Sequence, residues 1–150
     1  MTPAQQGAAK TALLNPVNGR ELVEVYPVLC LSYQEAMAEK LRAALCRREV
    51  AIRDFFDVDH AVRNGGFNAL QPELLDLLKR KLEIPRTGAV DVSAGRMEQL
   101  RRQLDARLRP VLREREFAQF DLPRAIETVH RVAEALARYR QRPGSDRVVK

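Results

Sequence analysis

Residues 32–63 constrain this chain most, because two helical apolar repeats follow one another there with almost nothing between them. The first run opens on Ser32 and Glu35, the S-x-x-E spacing in which a hydroxyl accepts a free backbone N–H at a helix start. Met37, Leu41, Ala44 and Leu45 then recur at helical spacing, with Ala36, Lys40, Ala43 and Arg47 forming the adjacent stripe. Lys40 therefore stands among alanines at the edge of the buried face. The second run puts Ala51, Phe55, Val58 and Val62 on its inward face. Arg53 and Asp57 lie one turn apart and can pair, while Asp54 and Asp57, three residues apart, can face one cleft. Spacing alone equally permits an ordinary solvated face with surface ion pairs.

The rest of the chain predicts more helices. Asn64-Gly65-Gly66-Phe67-Asn68 breaks the pattern, and Pro72 sits early in a helix carrying Leu74, Leu75, Leu77, Leu78 and Leu82. The Gly65-Gly66 pair lacks both a preceding strand and a following Lys-Ser/Thr, so it reads as a linker and not a phosphate loop. A connector over 83–92 ends at Ser93, which starts a long helix with Met97, Leu100, Leu104 and Leu108 on one face, ended or kinked by Pro110. Asp121 caps the last helix, in which Ala125, Ile126, Val129, Val132, Ala133, Leu136 and Tyr139 recur. Glu127–Arg131 and Glu134–Arg138 are favourable pairs upon it.

Before residue 32 the signals differ. Residues 1–20 show no sustained period and read as a loose arm, and residues 21–31, with β-branched residues and Pro27, read as an extended or edge strand. The expected fold is mainly α, a helical bundle over 21–140 with one short N-terminal extended or edge strand, followed by a basic flexible tail over 141–150. An aromatic content of 5% without Trp, and the weight of Leu, Ala, Arg and Glu, agree with helices over a sheet sandwich.

Composition bounds the partners. A formal charge of +6 suits a nucleotide or nucleic-acid partner, though a solvated helical surface can carry the same arginines. The densest basic cluster, Arg101, Arg102, Arg107, Arg109, Arg113 and Arg115, is interrupted by Asp105 and Glu114 and reads first as a charged face. Cys30 and Cys46 lack metal-ligand spacing and read as reduced thiols. No apolar run approaches the roughly 20 residues that span a bilayer, and no basic-then-apolar leader opens the chain, so a cytoplasmic location without membrane contact is expected.

The run Ala-Glu-Lys-Leu-Arg-Ala-Ala-Leu-Cys-Arg-Arg over 38–48, followed by Arg-Asp-Phe-Phe-Asp-Val over 53–58, resembles the A-E-K-L-x-A-L-x-x-R and R-D-x-x-D-L pair of the AbiEii/AbiGii nucleotidyltransferase-like toxin family. The two pieces in this order and this close together are far more specific than either alone. The resemblance implies that Lys40 contacts nucleotide phosphates, with Arg53 as a second nucleotide-binding residue. It likewise implies that Asp54 completes a catalytic centre, with Asp57 as its catalytic neighbour. It also implies magnesium and a nucleoside triphosphate for the complete family, an RNA or other acceptor, and a cognate antitoxin.

The same resemblance implies a Gly-Ser and a pair of metal-holding aspartates on an N-terminal sheet, and none precedes residue 32. Gly144-Ser145 lies in the tail, and Asp57-Val58-Asp59 lies in a helical pattern, where its carboxylates point around an axis and not along one strand face. Metal-assisted phosphoryl transfer depends on carboxylate-placed ions. The chain as given is therefore expected to bind no metal and to be a truncated or partial transferase inactive alone, whether a truncated gene product, a split enzyme awaiting its N-terminal half or a decayed copy. The other reading is a non-enzymatic basic helical module that binds a protein partner or RNA.

Overall fold

The protein is described by a computed structural model that covers residues 7–11, 14–20, 22, 26–85 and 87–140. It is mainly helical and divides into two compact units, residues 1–36 and 37–150. In the first unit, strand β1 (Gly7–Thr11) pairs antiparallel with β2 (Tyr26–Cys30), in a register running from Gly7 opposite Cys30 to Thr11 opposite Tyr26. The turn between them closes where Asn15 donates its N–H to the Arg20 carbonyl at 2.8 Å. Gly19 adopts φ 68° there, in the left-handed region that favours glycine.

The extended segment expected over 21–31 is thus a strand, and Pro27 is tolerated because each strand of a two-stranded sheet is an edge. Gly7–Thr11 corrects the expectation of a loose arm. Its backbone N–H and C=O groups find partners on β2, and Gly-Ala-Ala-Lys-Thr has too little β propensity to announce this locally. The same ladder places Tyr26–Cys30 in the N-terminal unit and not in a helical body starting at residue 21. The tail expected over 141–150, with Gly144 and Ser145, lies outside the described residues.

Six α-helices follow the hairpin: α1 (Tyr33–Cys46), α2 (Ile52–Asn64), α3 (Pro72–Leu82), α4 (Ala94–Gln103), α5 (Glu114–Gln119) and α6 (Leu122–Arg140). The Ser32 hydroxyl accepts the Glu35 N–H at 3.1 Å, and Asp121 Oδ1 accepts the Arg124 N–H at 2.9 Å, so α1 and α6 start at their sequence caps. Ser93 caps α4 more loosely, at 3.4 Å from the Arg96 N–H.

The long helix expected from Ser93 does not run straight to Pro110. It is α-helical to Gln103, widens to a π-helix over Leu104–Leu108 and tightens to a 3-10 turn over Arg109–Val111. Proline has no N–H to donate and its ring crowds the carbonyl four residues back, which at Pro110 is that of Ala106. α5 was not anticipated from sequence. Its start is marked by Glu116, whose carboxylate accepts the Arg113 N–H at 3.1 Å.

The core of the second unit joins α1 (Leu41, Leu45), α2 (Phe55, Val58), α3 (Leu74, Leu78), α4 (Leu100) and α6 (Val129, Val132), all buried. Each lies on the stripe that the helical repeat assigned to the interior. Buried aliphatic and aromatic side chains of this kind contribute about 1.5–3 kcal/mol each relative to exposure, and α2 packs against α6. A buried carboxylate with two partly exposed arginines pins those two helices. The Asp59 carboxylate accepts from Arg124 Nε at 2.7 Å and Nη2 at 3.1 Å, and from Arg63 Nε at 3.0 Å.

Both ends of α4 hold the corner between α1 and α2. The last carbonyls of a helix have no intrahelical donor. Here Ala44 O accepts from Arg96 Nη2 at 2.9 Å, Leu45 O accepts the Asp91 N–H at 2.9 Å, and Arg47 O accepts from Arg96 Nη1 at 2.8 Å. α1 has no basic residue in its last turn, so the Arg96 charge is the one that meets the negative end of its dipole. Across the corner, Gln103 Oε1 accepts the Ile52 N–H at 3.1 Å and its amide donates to Val50 O at 2.8 Å. The start of α2 has no side-chain cap of its own, and Gln103 supplies one from a distance.

Candidate functional site

Four side chains meet over the clamped corner. Lys40 projects from the middle of α1, Arg47 follows its last turn, and Asp54 and Asp57 lie on the first two turns of α2. Lys40 Nζ is 2.6 Å from Asp57 Oδ2 and 3.6 Å from Asp54 Oδ1. Arg47 Nη1 donates to the other Asp54 oxygen, Oδ2, at 3.0 Å. Asp54 is 4% exposed, whereas the Lys40 side chain is 42% exposed and that of Arg47 47%. A buried carboxylate with two cations at its rim, both open to solvent, is the arrangement that results.

The electrostatics follow from these contacts. The hydrogen bond that Lys40 donates to Asp57 raises the Lys40 pKa above the usual lysine value; burial opposes it, and the charges of Asp57 and Asp54 add to the rise. Lys40 is therefore held as an ammonium ion, a donor for anionic oxygens and not a base. Next to Lys40 on α1, Glu39 accepts from Arg42 Nε at 2.9 Å and 3.0 Å and stands 3.6 Å from Lys81 Nζ on α3. Burial pushes the Glu39 carboxyl up, but the hydrogen bond and charge of Arg42, with the charge of Lys81, outweigh it and hold the carboxyl below its ordinary value.

Of the residues singled out from sequence, the structure brings Lys40, Asp54 and Asp57 together and leaves Arg53 apart. Arg53 is exposed and forms no ion pair among the described residues. The expected Arg53–Asp57 pair is not made, because the Asp57 carboxylate is taken by Lys40 of the neighbouring helix. Asp57 and Asp59 turn to different partners, Lys40 and the two arginines, so the D-x-D there does not form one carboxylate pair. Sequence reasoning gave Arg47 no role, although it occupies the final arginine of the A-E-K-L motif. It also gave none to Arg96 and Gln103, which act across about fifty residues.

This donor set does not suit magnesium. The ion takes several oxygen ligands at once, and the two carboxylates here are already compensated by two cations. Among the described residues, no group of three or more His, Cys, Asp and Glu side chains could hold a metal.

The family model for the nucleotidyl transferase AbiEii toxin of type IV toxin–antitoxin systems matches residues 2–144. The chain belongs to the AbiEii family. The match extends well beyond the motif stretch at 38–58, through β1 on one side and α6 on the other. Comparison with curated proteins and with solved structures returned no match. Lys40 and Asp54, the two residues singled out by the motif resemblance, stand 3.6 Å apart, Nζ to Oδ1. No helix among the described residues is long and apolar enough to cross a membrane.

Proposed function

We propose that this AbiEii-family chain grips the triphosphate of a nucleotide at Lys40, as the phosphate-binding part of a nucleotidyl-transfer centre. The observation that carries the reading is the solvent-open Lys40 ammonium beside the buried carboxylate of Asp54. A phosphate oxygen can replace Asp57 on the lysine, since Asp57 is itself partly exposed and can return to water. Arg53, exposed and in no ion pair among the described residues, is available to a second phosphate oxygen, while Asp54 acts at the reacting centre with Asp57 beside it.

The chain as given contains no Gly-Ser with paired aspartates ahead of α1, and its carboxylates do not suit a metal. We infer that it transfers no nucleotide alone and needs that element from elsewhere, with magnesium held there. A cytoplasmic setting, an RNA acceptor and an antitoxin that restrains the complete activity complete the proposal, the last in line with the toxin–antitoxin description of the family. A purely basic binding module has less support. Arg101 and Arg102 share Glu98, and Arg109 pairs with Asp105 and lies over the Phe117 ring, which removes much of the free charge it would need.

The test uses the purified chain. ATP binding is measured without metal at low salt for wild type and Lys40→Ala, and labelled nucleoside triphosphates are offered with magnesium and RNA. Lys40-dependent binding that weakens with salt, and no transfer, are expected. Equal binding by Lys40→Ala overturns the site, and robust transfer by the chain alone overturns the claim of incompleteness.

A further inference from the structure

We propose that Arg47 is a positioning residue that keeps Asp54 off Lys40, so that the lysine ammonium stays available to a phosphate. The inference rests on the nucleotide reading above and deepens it.

Asp54 is nearly buried, and a carboxylate out of water requires a cationic or hydrogen-bonding partner. Two cations are within reach of it, Arg47 at 3.0 Å and Lys40 at 3.6 Å. Arg42 is not a substitute, because its guanidinium is committed to Glu39. With Arg47 on Oδ2, Asp54 needs only a loose approach from Lys40, whose short contact is to the more exposed Asp57. Lys40 and Arg47 then balance Asp54 and Asp57. Without Arg47 a single lysine faces two carboxylates, and the buried one draws it inward, away from any ligand.

The backbone that carries Arg47 is fixed for this task. Its N–H donates to Ala43 O at 3.1 Å and its carbonyl accepts from Arg96 Nη1 at 2.8 Å. Arg96 holds the peptide and Arg47 holds the carboxylate. Arg47 lies outside the hydrophobic core with its side chain about half exposed, and Lys40 stays within reach of Asp54, so Arg47→Ala is expected to fold.

The experiment compares wild type with Arg47→Ala, Arg47→Lys and the double variant Arg47→Ala/Asp54→Asn. Arg102→Ala, on the exposed face of α4, controls for the loss of one positive charge. Two quantities are read: metal-free ATP affinity, and the rate at which Lys40 is acylated by an N-hydroxysuccinimide ester without nucleotide, followed by mass spectrometry. In Arg47→Ala, ATP affinity is expected to fall roughly tenfold and Lys40 acylation to slow several-fold, with Arg47→Lys close to wild type and the double variant recovering both. An unchanged acylation rate in Arg47→Ala, or a drop that the double variant does not recover, overturns the proposal; the latter result would mean that Arg47 touches phosphate itself or is merely structural. Failure of the wild type to bind ATP through Lys40 sinks the nucleotide reading instead, and the acylation rates still judge Arg47.

Discussion

Arg96 Nη2 lies 2.9 Å from the carbonyl oxygen of Ala44, and this buried contact closes the end of α1 from a residue 52 positions further along the chain. Burial pushes the Arg96 pKa down, and the charge of Asp91 only partly opposes it. Removing the guanidinium leaves the Ala44 and Arg47 carbonyls without these donors. Arg96→Met is expected to cost about 2–4 kcal/mol, read from urea unfolding. A change below about 0.5 kcal/mol, the scale of ordinary surface substitutions, would show that the clamp is dispensable.

Gly88 and Gly95 should respond in opposite directions to the same change. A Cβ on Gly88 would lie 2.6 Å from the Cys46 carbonyl oxygen, because the connector runs tightly past the end of α1. One on Gly95, in the first turn of α4, meets nothing within 4 Å. Gly88→Ala is expected to destabilise by about 1–3 kcal/mol, and Gly95→Ala to stabilise by up to about 1 kcal/mol. Thermal midpoints of the two variants provide the comparison.

Asp59 is the linchpin between α2 and α6. Asp59→Asn keeps the shape and removes the charge that two arginines share. Arg63 and Arg124 are partly solvated and can relax, so the cost is expected at the lower end for a broken buried pair, about 2–3 kcal/mol. Hydrogen exchange should show α6 losing protection ahead of α1.

Stability should fall at both ends of the pH scale, for opposite reasons. The Glu39 carboxyl is depressed below its ordinary 4.5, so its contribution is present above that value and lost as pH falls through the lower folded value. Lys40 is raised above its ordinary 10.5, so its contribution is present below that value and lost as pH rises through the higher folded value. Glu39→Gln is expected to flatten the acid limb of melting temperature against pH, and Lys40→Met the alkaline limb. Each should leave the other limb in place.

The legible parts of this molecule are those with a local signature. Leucine spacing and Ser32, Ser93 and Asp121 mark four of the long helices or their starts, and Pro110 marks where regular helix gives way. What stayed hidden depends on partners far away in sequence. Gly7–Thr11 needs β2 to become a strand, and Arg96 and Gln103 act through backbone atoms whose identity no side-chain pattern reveals. At Asp57 the local rule favoured Arg53, one turn away, and a lysine from the adjacent helix won. Lys40 and Asp54 attracted notice through the motif likeness; helical spacing alone would have left them on an ordinary charged face.

The reach of the clamp also sets an order of events during synthesis. Its hydrogen bonds join positions 49, 52 and 53 residues apart, so the corner that carries Lys40 and Asp54 stays unfinished until α4 has emerged from the ribosome and docked. A fragment ending before Arg96 would carry Lys40 and Asp54 without the hydrogen bonds from Arg96 and Gln103 that hold the corner between their helices.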